Sequence, residues 1–127
     1  MIRTRIAAAI GAAALAGLGV AATATPASAA YSDCSSGALC AYLSDNGVGD
    51  PGEVFGDNSN LLQYNKFNNA ESVYNNGNSC DVRIYDQTGY TGDSFVLHRG
   101  YVINNLDAYE NGDFADDLAS NKWINCS

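Results

Sequence analysis

Two oxygen-rich signatures recur in this chain, Asn68-Asn69-Ala70-Glu71-Ser72 and Asp116-Asp117-Leu118-Ala119-Ser120. Amide, carboxylate and hydroxyl oxygens grouped in this way are hard ligands, the chemistry that surrounds calcium with six to eight oxygens. Asn68, Asn69 and Ser72 would form one arm of such a site, and Asp116, Asp117 and Ser120 the other, with loop carbonyls completing the shell. An extracellular site with so few carboxylates is expected to bind weakly, at a Kd on the order of 10⁻⁴ to 10⁻³ M. The same residue types are also ordinary turn formers that cap exposed backbone. What favours the cation is that both signatures keep step with a second repeated feature.

That feature is a tyrosine opening a glycine-rich turn: Tyr42-Leu43-Ser44-Asp45-Asn46-Gly47-Val48-Gly49 and Tyr85-Asp86-Gln87-Thr88-Gly89-Tyr90-Thr91-Gly92. The tyrosines are offset by 43 positions and the Asn/Asp pairs by 48, so the chain is duplicated and its second copy is five residues longer. A half of this size cannot bury its apolar face alone, which predicts two half-domains, at about 34–79 and 80–127, sharing one core. No sustained 3.6-residue apolar period occurs. Short apolar runs at 39–43, 72–74, 82–85, 94–98 and 122–124 are separated by Asn/Gly/Asp clusters that suit tight turns. The expectation is an all-β chain, an antiparallel Greek-key sandwich in a single domain, with helical turns only at 61–64 and 103–108.

Enzymatic readings find little to stand on. His98 is the only histidine, and no G-x-S-x-G, H-E-x-x-H or P-loop accompanies it. Asp116 and Asp117 form a carboxylate pair, but acid/base work needs unequal environments and a cleft. The expectation is a protein that is not an enzyme.

The first 29 residues read as a secretory signal, with Arg3 and Arg5 before an Ala/Gly-rich apolar run and an A-x-A site at Ala27-Ser28-Ala29. The run is too weakly apolar for a membrane span. The mature part, residues 30–127, keeps four basic residues (Lys66, Arg83, Arg99 and Lys122) against 14 acidic ones, which is more negative than the −8 of the whole chain. Such a surface repels phosphate, so a nucleic-acid partner is excluded. A secreted, extracellular monomer is expected. Four cysteines in a short exported chain imply disulfides. Three pairings are possible. The short Cys34–Cys40 loop, turning at Gly37, leaves Cys80 for Cys126. Loop closure gives about 2.4 kcal/mol for the short loop and about 4 kcal/mol for the long one. Zinc is the weaker reading, since no C-x-x-C pair is present.

The Tyr85-x4-Tyr90-x-Gly92 stretch resembles the βγ-crystallin Greek-key motif, as does the Tyr42 turn, where Gly47 stands in the place of Tyr90. The two Asn/Asp signatures likewise resemble that superfamily's N/D-N/D-x-x-S/T-S calcium signature, departing at its sixth position, where Val73 and Asn121 replace serine. A narrower resemblance rests on Cys34 to Tyr42, the middle Asn-rich serine motif, Tyr85 to Gly92, and Ser120 to Trp123: the chain is similar to the secreted actinobacterial proteins of peptidase inhibitor family I36. That resemblance implies one βγ-crystallin-like double Greek-key domain and inhibition of extracellular metallopeptidases of the thermolysin kind. In the inhibitory pattern a second short cysteine loop braces the reactive segment. Cys80 stands at a comparable place, which directs attention to Asp81, Val82 and Arg83 as partner-binding residues, although no nearby cysteine completes the brace. Tyr109, in the extension Tyr109-Glu110-Asn111-Gly112-Asp113, is a second expected contact. The alternative is a calcium-binding structural or toxin-like module without inhibitory activity.

Overall fold

The computed structural model describes residues 24–26 and 29–127, so the expected signal segment lies almost wholly outside the described residues. Its strands are β1 (Ala24–Pro26), β2 (Leu39–Tyr42), β3 (Gly52–Val54), β4 (Ser72–Asn75), β5 (Asp81–Gln87), β6 (Thr91–Leu97), β7 (Tyr101–Ile103) and β8 (Ser120–Ile124). A one-turn helix, α1 (Asn65–Asn68), follows a 3-10 turn at Leu61–Gln63. All pairings are antiparallel. They form a five-stranded sheet in the order β1-β7-β4-β2-β3 and a three-stranded sheet in the order β6-β5-β8.

The second half lends β7 to the sheet of the first, and the first half answers with a single bridge. β7, from the second half, pairs with β4 through Val73–Ile103 and Tyr74–Val102. In return Asn58 of the first half forms a bridge to Asn121 at the free edge of β8, with Asn58 N–H donating to Asn121 O at 3.1 Å and Asn121 N–H returning to Asn58 O at 3.0 Å.

Burial explains which strands were legible. β5 alternates, with Val82 and Ile84 buried, the pattern of a strand with one covered face. β2 is buried at all four positions because both of its faces are covered. Leu39 and Ala41 point into the core between the sheets, with Phe67, Val73, Ile84, Leu97 and Leu118. Cys40 and Tyr42 point outward, under Tyr31, Cys34, Ala38 and Val102. The three-residue strands β3 and β7 are too short to show a period and were not expected. The second helical turn also falls later than expected, at Tyr109–Gly112, because residues 101–103 are drawn into the sheet.

Both disulfides form as read from the spacing. Cys34–Cys40 staples the N-terminal cover to β2, and Cys80–Cys126 joins the approach to β5 to the end of β8. The two buried tyrosines of the outer cluster differ in one respect. Tyr31 Oη donates to Asn104 Oδ1 at 2.6 Å, whereas the buried Tyr42 Oη finds no partner among the described residues. A buried hydroxyl without a partner costs about 1–3 kcal/mol. Tyr42→Phe is therefore expected to leave stability unchanged or raise it by about 1 kcal/mol, read as a urea-unfolding midpoint at or above that of the parent protein.

Candidate functional site

The two tyrosine turns fold back on their sheets by the same device. In the second, Gly89 and Tyr90 take left-handed backbone conformations, with φ of 72° and 63°. This turns the Tyr90 N–H onto Ser120 Oγ at 3.0 Å, while the same hydroxyl donates to Gln87 O at 2.7 Å. Tyr90 then packs edge-on against Tyr85, with ring centroids 6.0 Å apart, and Lys122 Nζ lies 4.4 Å from its ring centre. Gly92 has φ of 82°, and a side chain there would collide with the Asp86 carboxylate, which accepts from Asp93 N–H. In the first turn the Gly47 N–H donates to Ser72 Oγ at 3.0 Å and Ser72 Oγ donates to Ser44 O at 2.7 Å. Ser72 and Ser120 are fully buried.

These bonds bear directly on the expected calcium arms. The hydroxyls of Ser72 and Ser120 are enclosed and already hold the hairpins, each donating one hydrogen bond and accepting one. Asn69 turns its amide onto Asn65, and Asn68 closes α1. Acidic side chains do gather at the junction of the halves. Asp116 N–H donates to Ala70 O, and Leu106 N–H donates to Glu71 O. This sets the Glu71 carboxyl between those of Asp107 and Asp116. Burial, then hydrogen bonding to and repulsion from Asp107, then the same from Asp116, push Glu71 up to about 7. Asp117 is raised too, by burial and then by the charges of Asp86 and Asp116. Glu71 was visible inside the quoted signature as its fourth residue. Asp107 was not, since only the exchange of β7 brings it near.

The expected partner residues are placed differently. Val82 is fully buried in the central strand of its sheet, opposite Leu97 and Trp123. Arg83 Nη1 donates to Ser94 Oγ at 3.0 Å. Burial alone would raise the Asp81 carboxyl, but it is held low by the Arg99 N–H, Asn125 and His98, whose Nδ1 lies 3.2 Å from Asp81 Oδ2. Asp81–Arg83 is thus part of a strand paired on both sides, with β6 and with β8, and not a presented loop. Tyr109 is half-buried against Phe95 at 5.1 Å and beside Phe114; burial and then Glu110 raise its phenol. Presented apolar side chains occur elsewhere. Val48 is 59% exposed and Leu43 43% exposed, both on the loop Leu43–Gly49 that Ser72 holds.

The sequence model of peptidase inhibitor family I36 matches residues 27–97. The chain belongs to this family. The match takes in the Leu43–Gly49 loop, Ser72 and the second tyrosine turn, and it ends at the last residue of β6. Solved structures carry the same fold at low identity. One, described as the evolution of the eye lens βγ-crystallin domain fold, is 16% identical over 80% of this chain and 97% of its own, with a TM-score of 0.61. The IPSE/alpha-1 protein of Schistosoma mansoni eggs is 19% identical over 70% of this chain and 86% of its own, at 0.57. A βγ-crystallin from Ciona intestinalis is 23% identical over 69% of this chain and all of its own, at 0.53. No curated protein matches the chain. These structures establish a βγ-crystallin fold, and the family is of a non-enzymatic kind.

The acidic junction gives a pH prediction. Glu71 holds its proton more tightly when folded, so its contribution to stability is complete below the ordinary value of 4.5 and is lost as pH rises through about 7. Glu71→Gln removes the titration. Its unfolding midpoint should fall less than that of the parent between pH 4.5 and about 7, and lie above the parent's at about pH 8.

Proposed function

We propose that this protein is a secreted inhibitor of extracellular peptidases that acts through the Leu43–Gly49 loop, with Val48 as the side chain offered to the enzyme. The observation that carries the reading is an apolar residue, more than half exposed, on a loop whose backbone is already fixed. Gly47 is tied to Ser72, Asn46 N–H donates to Asn104 O at 2.9 Å, and Val48 N–H returns to Asp45 O. A loop held near its bound shape avoids most of the ordering cost that a flexible peptide incurs on binding. The family match across this loop and the two disulfides support an extracellular inhibitor in general.

Metallopeptidases of the thermolysin kind are the proposed target, since the offered residue is small and apolar and the loop carries no basic side chain for a serine peptidase's acidic pocket. No disulfide closes on the loop itself, so inhibition should be micromolar, about −8 kcal/mol of binding. Val48→Asp should weaken inhibition of a thermolysin-like enzyme about tenfold or more. Its melting temperature should stay at the parent value, because exposed positions contribute little to stability. Progress curves with both proteins check this; inhibition unmoved by Val48→Asp, or none by the parent, contradicts the proposal.

Calcium is a second reading, favoured by the gathering of the Glu71, Asp107 and Asp116 carboxyls and by the raised proton affinity of Glu71. A cation there would replace repulsion between like charges with coordination. On this reading about 1 mM calcium should raise the melting temperature by several degrees over a chelated sample, if the Kd is near 0.1 mM. The shift should be lost in Glu71→Gln; melting indifferent to calcium refutes it.

A further inference from the structure

The two hairpins differ in where their second aromatic ring comes from. Tyr90 sits inside its own turn and packs on Tyr85. The matching position of the first turn is Gly47, with φ of 68° and no ring to offer. That space is filled by Tyr31, sixteen residues upstream, whose ring carbons lie 2.5 to 2.8 Å from where a Gly47 side chain would begin. Tyr31 packs edge-on against Tyr42 with centroids 5.2 Å apart, the relation Tyr90 has to Tyr85, and also meets Tyr74 at 5.5 Å. It is 1% exposed. Its hydroxyl donates to Asn104 Oδ1, and the carbonyl of the same Asn104 accepts the Asn46 N–H of the loop.

We infer that Tyr31 is the positioning residue of the Leu43–Gly49 loop, so that the loop is ordered only while the amino-terminal segment is docked. Tyr31 packs against Gly47 and holds the asparagine that anchors Asn46. No side chain within the loop can replace it, because Gly47 has none. The Gln87–Gly92 hairpin carries its own ring and is independent of the amino terminus. Cleavage after Ala29 would leave Tyr31 as the second residue of the mature chain. Removal of two further residues, by an aminopeptidase for example, would then loosen the loop while the disulfide-linked body stays folded. The inference deepens the inhibitory reading of this loop and rests on it for its effect on binding; the ordering of the loop can be measured separately.

Amide hydrogen exchange with residue resolution tests it, in the parent, Tyr31→Phe and Tyr31→Ala. In Tyr31→Ala the Asn46 and Gly47 amides should exchange about tenfold faster or more, while Tyr90 N–H, held by Ser120, stays at the parent rate as the control for a folded body. Tyr31→Phe keeps the ring and loses the Asn104 bond, so it should lie between the two. Inhibition should weaken in the same order as exchange accelerates, without a change in the second hairpin. Unchanged exchange at Asn46 and Gly47 in Tyr31→Ala overturns the inference, as does acceleration in both hairpins alike. Faster exchange in the first hairpin with no inhibition by any of the three proteins keeps Tyr31 as the loop's positioning residue and refutes instead the inhibitory reading.

Discussion

Ser72 and Ser120 each fold a left-handed turn back onto its own sheet with one hydroxyl that donates and accepts at once. Because both groups are fully buried, water cannot substitute for either partner, and the turn and the strand that bears the serine must form together. The turn at Leu43–Gly49 closes on β4, and that at Gln87–Gly92 closes on β8, so each clamp joins the start of a half to its end. β7, laid in the sheet of the first half, and the Asn58–Asn121 bridge then lock the halves to one another. A residue with one oxygen thereby sets the geometry of two loops and the register of two strands.

The near-symmetry is broken at Gly47, and the break has consequences. The second half holds its ring in the turn, where Lys122 covers it. The first half draws its ring from Tyr31, across a segment that also covers the outer face of β2 and is stapled by Cys34–Cys40. This cover buries β2 on both faces. It also leaves the turn without an aromatic ring of its own, with Val48 turned outward. The feature that deprives the loop of a private support is the one that makes its backbone available for contact.

Much of this was legible in the chain. The duplicated Tyr–Gly turns and the alternation of β5 pointed to an antiparallel Greek-key domain, and the cysteine spacing gave both bridges. The serines of the signatures stand out in the sequence as candidate ligands, but not as clamps of the turns. Sequence shows that Ser72 recurs as Ser120; it does not show that Gly47 and Tyr90 bring their N–H groups onto them. The place of Val82 after Cys80 resembles a reactive segment, whereas pairing with Leu97 and Trp123 on either side puts it mid-sheet. The absence of an aromatic at Gly47 was visible, but its replacement by Tyr31 was not, since the two meet only through tertiary folding. Glu71 and Asp107 are likewise brought together by the exchange of β7, which leaves no local trace.

Urea unfolding of Ser72→Ala and Ser120→Ala, beside Asn69→Ala and Asp117→Ala, tests the clamp most directly. The account predicts that each serine variant loses about 1–3 kcal/mol, because deleting one oxygen leaves the buried Gly47 N–H, or the partly buried Tyr90 N–H, without its acceptor and frees the turn from its strand, while the Asn69 and Asp117 variants stay within about 0.5 kcal/mol of the parent. Serine variants as stable as the parent would show that the hydroxyls do not hold the turns, and would contradict it.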